Sequence, residues 1–416
     1  MIALSPRPAT SKRLKYVVAL RRSRVEGAED DRPYIGLENI ESSTGRLIGD
    51  PGATEQSAPS STGEGESLSN TFESGDVLFG KLRPYLAKAW VAEFPGRCTT
   101  ELLVMQPVET EPRFLRYVCL SRDFIDAVDA STFGSKMPRA DWDFIGNMAV
   151  PVPRIPQQRA IANYLDRETA RLDALVAAKE RVLGLLAEKR RALITRAVTR
   201  GLDPPAPLRD SGIPWLGEIP AHWEIERARW LFRERDHRSE TGEEELLTVS
   251  HLTGVTPRSE KDVNMFEAET TEGYKICLSG DLVINTLWAW MGAMGVSRVD
   301  GIVSPAYNVY QPGSRLEPRY VDALVRLPVF AQEVTRYSKG VWSSRLRLYP
   351  EGFFEVFLPV PSLREQREIV SYMARETGKL DELRAATERT TALLKERRAA
   401  LIAAAVTGQI DVGAAA

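Results

Sequence analysis

The sequence predicts a mixed α/β (α+β) fold in two tandem copies, each followed by a long helix, with the two helices packed on one another. Three observations carry this reading. The segment PVPRIPQQRAIANYLDRET, from Pro151 to Thr169, returns as PVPSLREQREIVSYMARET from Pro359 to Thr377, an offset of 208 residues in a chain of 416. Ahead of each copy, short apolar runs alternate with turn residues. Behind each copy, apolar residues recur at every seventh position. A repeat at half the chain length points to duplication of the whole molecule.

The duplication extends well past the quoted phrase. At the same offset Ser135 faces Ser343, Arg139 faces Arg347, and Val198-Thr199 faces Val406-Thr407. Further upstream the offset drifts, as loops of unequal length require. FESGDVLFGKLRPYL, from Phe72, then faces CLSGDLVINTLWAWM, from Cys277, with Gly75-Asp76 opposite Gly280-Asp281; Gln106-Pro107 faces Gln311-Pro312.

Within the fronts, DVLFGKL and DLVINTL follow a Gly-Asp turn and read as strands, as do ELLVMQP and YNVYQP. PRFLRYVCLSRDFIDAV and PRYVDALVRLPVFAQEV have helical spacing. The stretch from Asp50 to Asn70 is rich in Gly, Pro and Ser and poor in apolar residues, so a loop is expected there.

Behind the fronts, Leu165, Leu172, Leu186 and Leu193 form a seven-residue ladder with Lys179 at the missing rung. Met373, Leu380, Leu394 and Leu401 form its counterpart with Thr387 at the gap. Such a ladder is a coiled-coil signature. A helix with one apolar stripe has to bury it, and the matching helix of the same chain is the nearest partner. Each helix, at some 40 residues, would be a rod of about 60 Å. Ser362 and Glu365 have the spacing of a capping box, which would start the second helix. The expected divisions are 1–153 (first domain), 154–200 (helix), 201–222 (linker), 223–361 (second domain) and 362–410 (helix). The Pro and Gly residues between the halves rule out one continuous helix.

Composition narrows the classes. Hydrophobic content of 43% and charge of 27% are ordinary for globular chains, and the net charge of −2 means that any basic surface must be local. Cys98, Cys119 and Cys277 are scattered, without a CxxC pair, so neither a disulfide framework nor a zinc site is expected. No signal peptide or membrane span is read, and a cytoplasmic protein is expected. Phosphate-loop, dinucleotide-fold and zinc-protease motifs are absent from the sequence. His222, His237 and His251 are the only histidines and are read as surface or packing residues. The sequence therefore points to recognition or scaffolding without catalytic residues.

The phrases SGDVLFGKLRPYLAK, FGSKMPRADWDFIGNMAVPVP, SGIPWLGEIPAHWEIERARWLF and GIVSPAYNVYQP, with the two PVP…Q-R-x-I helix starts, resemble the specificity subunit of type I restriction-modification systems. The resemblance covers nearly the full length. It departs at Gln157, where the family has Glu, as in Glu365, and at the start, which lacks the WLGEIPAHW prelude of the second half.

The resemblance implies two target recognition domains, an antiparallel coiled coil that spaces them, and a bipartite, asymmetric double-stranded DNA target. It also implies docking of two modification (methyltransferase) subunits and two restriction (motor-endonuclease) subunits. ATP, magnesium and S-adenosylmethionine would belong to those partners and none to this chain. The competing readings are the recognition part of a single-chain restriction enzyme and a coiled-coil scaffold that binds no DNA.

Phosphates call for cations and base edges for Arg, Lys or hydroxyl side chains on protruding loops. The candidates in the first half are Lys81, Arg83 and Lys88, then Ser135, Lys136 and Arg139. In the second they are Ser343, Ser344, Arg345 and Arg347, with Trp288 and Trp290 weighed against a core role. Tyr85, Phe133 and Trp342 are assigned to packing. Lys12, Arg13, Lys15, Arg21, Arg22 and Arg24 could line phosphates, but a solvated helix face is the preferred reading.

Overall fold

A computed structural model describes residues 10–26, 31–49, 68–260, 270–341, 346–410 and 412. The chain divides into two units, residues 1–181 with 387–416, and residues 182–386.

The first unit is built on a four-stranded antiparallel sheet in the order Val18–Leu20, Leu102–Pro107, Val77–Gly80, Ala89–Val91. Both faces of this sheet are covered, so its strands read as continuous apolar runs. Side chains still alternate between the faces. Val77, Phe79, Leu103 and Met105 meet the helices Pro112–Leu120 and Arg122–Ala130. Leu78, Trp90, Leu102 and Val104 meet Phe72, Ile35 and Cys98 of a second sheet. Pro112 starts its helix because a first-turn proline loses no intrahelical bond, and the Glu111 carboxylate accepts the Phe114 N–H at 2.7 Å.

The second unit repeats this plan with the sheet Phe232–Glu234, Tyr307–Pro312, Leu282–Asn285, Met294–Val296, and the helices Pro318–Val325 and Pro328–Arg336. The Gly-Asp turns are equivalent in detail. Gly75 (φ +89°) and Gly280 (φ +97°) take the left-handed conformation that a side chain would oppose. Asp76 is buried and accepts Arg21 through two nitrogens at 2.7 and 3.2 Å, plus the Glu73 N–H. Asp281 accepts Arg235 at 2.7 and 3.3 Å, plus the Leu278 N–H. Arg21 is therefore a structural residue, and the segment read as a helix face is instead the strands Ser11–Arg13 and Val18–Leu20 joined by the short turn Leu14–Tyr16. The period-two pattern there is too short to show in sequence.

The long helices run Ile155–Arg200 and Leu363–Val406. In the first unit, Ile161, Ala162 and Leu165 of the first helix share a core with Ile402, Ala405 and Val406 of the second. In the second unit, Ala197 and Val198 share a core with Ile369 and Met373. The start of one helix thus meets the end of the other in each unit, which is antiparallel packing. Asp173 accepts Arg398 at 2.9 Å in the first unit, and Asp381 accepts Arg190 at 2.7 Å in the second. These residues match at the 208-residue offset. Leu165, Leu172, Leu186, Met373 and Leu380 are buried, as the ladder predicts, and Thr387 fills its gap as a buried residue.

Each helix is fastened to its domain by one buried amide. Gln158 accepts the Glu111 N–H at 2.8 Å and donates to the Pro153 carbonyl at 2.8 Å. Gln366 accepts the Glu317 N–H at 2.8 Å and donates to the carbonyls of Arg315 and Pro361. The capping box forms only in part. Ser362 Oγ accepts the Glu365 N–H, but the Glu365 carboxylate accepts Trp223 Nε1 at 2.9 Å and lies 3.0 Å from His222 Nε2.

The stretch 201–222, expected as a linker, carries an antiparallel ribbon, Leu208–Asp210 with Glu218–Pro220, and buries Leu216 and Ile219. Of the expected loop from Asp50 to Asn70, residues 50–67 lie outside the described residues, and Leu68–Asn70 open a strand. The three cysteines are free and buried, and burial pushes the thiols of Cys98 and Cys277 up to about 12. Among the described residues no helix is long and apolar enough to cross a membrane.

Candidate nucleic-acid interface

In the first unit the loop after Val77–Gly80 and the segment Phe133–Ala140 form one protrusion. Arg83 N–H donates to the Pro138 carbonyl at 2.8 Å, and Ala140 N–H to the Lys81 carbonyl at 2.9 Å. Phe133 and Arg139 exchange both backbone hydrogen bonds at 3.1 Å. The sequence-predicted Lys81, Arg83, Lys136 and Arg139, more than 50 residues apart at the extremes, thus share one edge. Arg83 (φ +51°) and Ala87 (φ +48°) flank the turn Pro84–Leu86 in the left-handed region, a strained conformation for both.

That turn carries Tyr85 outward. Tyr85 is 53% exposed and Phe133 63% exposed, so neither packs in the core as the sequence reading had it. Both sit in short, proline-flanked segments where sequence spacing does not define an inner face. Arg83, Ser135 and Lys136 are exposed beside them.

Two cations of this region are held within the domain. Arg139 Nε donates to both Glu101 oxygens at 3.0 and 3.1 Å, and that carboxylate raises the guanidinium pKa. Lys88 Nζ donates to the Leu37 carbonyl at 2.6 Å, and burial lowers its pKa.

The second unit builds the same protrusion from other side chains. Leu348 N–H donates to the Thr286 carbonyl at 3.1 Å, the counterpart of the bond from Ala140 to Lys81, and Lys339 and Arg347 exchange backbone bonds at 2.9 Å. The offset predicts Val341 opposite Arg347; the hairpin is longer and Lys339 takes that place. Arg347 is exposed and makes no side-chain hydrogen bond or ion pair among the described residues. Trp288 and Trp290 stack at 6.4 Å with 16° between rings, and Trp288 is 50% exposed. Trp342, Ser343, Ser344 and Arg345 lie outside the described residues.

Sequence reasoning missed Glu101, which fixes the first edge, and, away from the edges, the partners that hold the Gly-Asp turns and the helix starts: Arg21 and Arg235, and the two buried glutamines. The doubled Gly-Asp and Q-R matches were their signal, but a matched polar residue does not announce its partner. Among the described residues no group of His, Cys, Asp or Glu could hold a metal ion.

Two α/β units whose shared long helices pack antiparallel define the fold of type I restriction-modification specificity subunits. The chain is similar over 97% of its length to a chain from a structure of a type I R-M system, reported for complex assembly and conformational transition; 98% of that chain is covered, with a TM-score of 0.66 and 22% identity. The HsdS subunit from Thermoanaerobacter tengcongensis superposes over 97% of this chain and 98% of its own, with a TM-score of 0.53 and 19% identity. In sequence, the chain is 23% identical over 195 residues to the type I restriction enzyme EcoDI specificity subunit of Escherichia coli. That match spans 46% of this chain and 38% of the relative. No family model matches.

Proposed function

We propose that the chain is the DNA-reading specificity subunit of a type I restriction-modification complex in the cytoplasm, itself without catalytic residues. One observation carries this. The two units present the same backbone protrusion with different side chains: Arg83, Tyr85, Phe133 and Lys136 on one, Trp288, Lys339 and Arg347 on the other. A common scaffold with divergent cations and aromatics is what reading two unlike half-sites requires, because phosphate contacts position each domain and groove contacts specify the bases. The target is then bipartite and asymmetric.

The paired helices hold the spacing, and the chain scaffolds two modification and two restriction subunits, which bring S-adenosylmethionine, ATP and magnesium. The test is methylome sequencing of the host with and without the gene. Loss of one split, asymmetric methylated motif is expected. Loss of a palindromic or continuous motif, or of none, overturns the reading.

A further inference from the structure

The two units differ where the domain helix lies against the long helix. In the first, the carboxylate of Asp166 accepts Arg113 Nη1 and Arg116 Nη2, each at 2.9 Å, and Tyr117 Oη at 2.7 Å. The space between the helices is thereby filled by a tyrosine and a carboxylate. In the second unit Ala374 stands at the position of Asp166 and Ala323 at that of Tyr117. Where these two large groups are replaced by methyls the second unit has a cleft of about 780 Å³, whose lining includes Ala323, Ala374 and Thr377.

Of the two arginines that hold Asp166, Arg113 keeps its counterpart in Arg319, whereas Arg116 gives way to Asp322. Arg191, Arg298 and Arg319 line the cleft, and none has a side-chain hydrogen bond or ion pair among the described residues. Arg319 corresponds to Arg113, which in the first unit binds Asp166. Arg326, also on the wall, has a buried Nε without a partner. Glu317 and Asp322 are the acidic residues lining the cleft among the described residues; Glu317 already faces Arg367 at 3.6 Å, and Asp322 accepts the Val296 N–H and lies 3.8 Å from Arg326 Nη1, so the unpaired charge of the cleft rests on Arg191, Arg298 and Arg319. The cleft is therefore lined by unpaired arginines and by small side chains, the complement of the Tyr–Asp pair that fills its counterpart.

We infer that this cleft is a docking site for an acidic, tyrosine-bearing peptide segment of a partner protein, whose ring and carboxylate take the places that Tyr117 and Asp166 fill in the first unit. A protein segment is favoured over DNA by position. The cleft includes Ser279 and Gly280, which precede the strand Leu282–Asn285, whereas the protrusion assigned to DNA follows the end of that strand. The inference goes beyond the DNA-reading role and does not depend on it.

The test is fluorescence anisotropy of the full chain with a labelled hexapeptide carrying one tyrosine flanked by aspartates, and with the same peptide carrying asparagines. The aspartate peptide is expected to bind about tenfold more tightly, the scale of one charge-assisted pair. The double variant Ala323→Tyr/Ala374→Asp should lose that binding. Arg319→Ala should weaken it about tenfold; this exposed residue decides the matter if the filled variant does not fold. An excess of duplex DNA should leave the peptide bound. Equal binding of the two peptides, undiminished binding to both variants, or displacement by duplex overturns the inference. None of these outcomes bears on the methylome result.

Discussion

Gln158 and Gln366 have the same surroundings in the two units, but the residues just before them do not. Each glutamine is buried and ties the start of a long helix to the loop before a domain helix. One position earlier, Glu365 receives the indole of Trp223 and lies beside His222, whereas Gln157 Oε1 only accepts the nearby Arg154 N–H at 3.3 Å. The described part of the first unit offers no Trp-His pair at this place. In the second unit the indole of Trp223 holds the carboxylate, a partner that a carboxylate at the same place in the first unit would lack. The comparison teaches that the repeat keeps residues whose partners are backbone and changes those whose partners are side chains found in one half.

The sharpest way to break the equivalence is to remove the buried carboxylates. Asp76→Ala and Asp281→Ala should each cost about 3 kcal/mol, since each leaves an arginine and a turn N–H unpaired. Hydrogen exchange should show the loss confined to the affected unit, and unequal costs would mean that the two turns are not equivalent. Gln158→Ala and Gln366→Ala should each cost about 2 kcal/mol in urea denaturation, from orphaned backbone groups. Next, Glu365→Ala should cost about 1 kcal/mol and Gln157→Ala under about 0.5 kcal/mol; equal values would mean that Trp223 and His222 add nothing at the second helix start.

Smaller still, Arg139→Ala should lower stability by no more than about 1 kcal/mol, because its pair with Glu101 is partly exposed. Arg347→Ala should leave stability unchanged. On duplex DNA, the matched positions of Arg139 and Arg347 at the 208-residue offset would suit one shared phosphate contact in each unit. The structure sharpens this: Arg347 should lower the salt slope of binding by about one unit and Arg139 by less. Smallest of all, alkylation at a pH of about 8 should leave the native thiols intact, because burial holds Cys98 and Cys277 protonated until the pH nears 12.

The elements legible in sequence were those with long periodicity. The seven-residue ladder located the helices, and the doubled Gly-Asp turns located the central strands. What stayed hidden depended on partners distant in sequence. Arg21 looked like one cation among six, and only the folded chain brings it to Asp76, 55 residues on. Tyr85 and Phe133 looked like core aromatics because aromatics usually are; their outward pose follows from the two left-handed residues around Tyr85 and from the hairpin that presents Phe133. The cleft by Ala323 and Ala374 could be read only by laying one unit's contacts over the other's sequence.

The first unit takes part of its core from the far end of the chain. Ile402, Ala405, Val406 and Val412 pack with Leu14, Phe114 and Leu165. A ribosome finishes residues 182–386, a contiguous stretch that makes up the whole second unit, before it has made any of those four. The half translated first is therefore the half completed last, and its Ile161 and Leu165 wait for the rest of their core through about 240 residues of further synthesis. A premature stop or a protease cut near Thr387 would strip the unit more distant in sequence and spare the adjacent one.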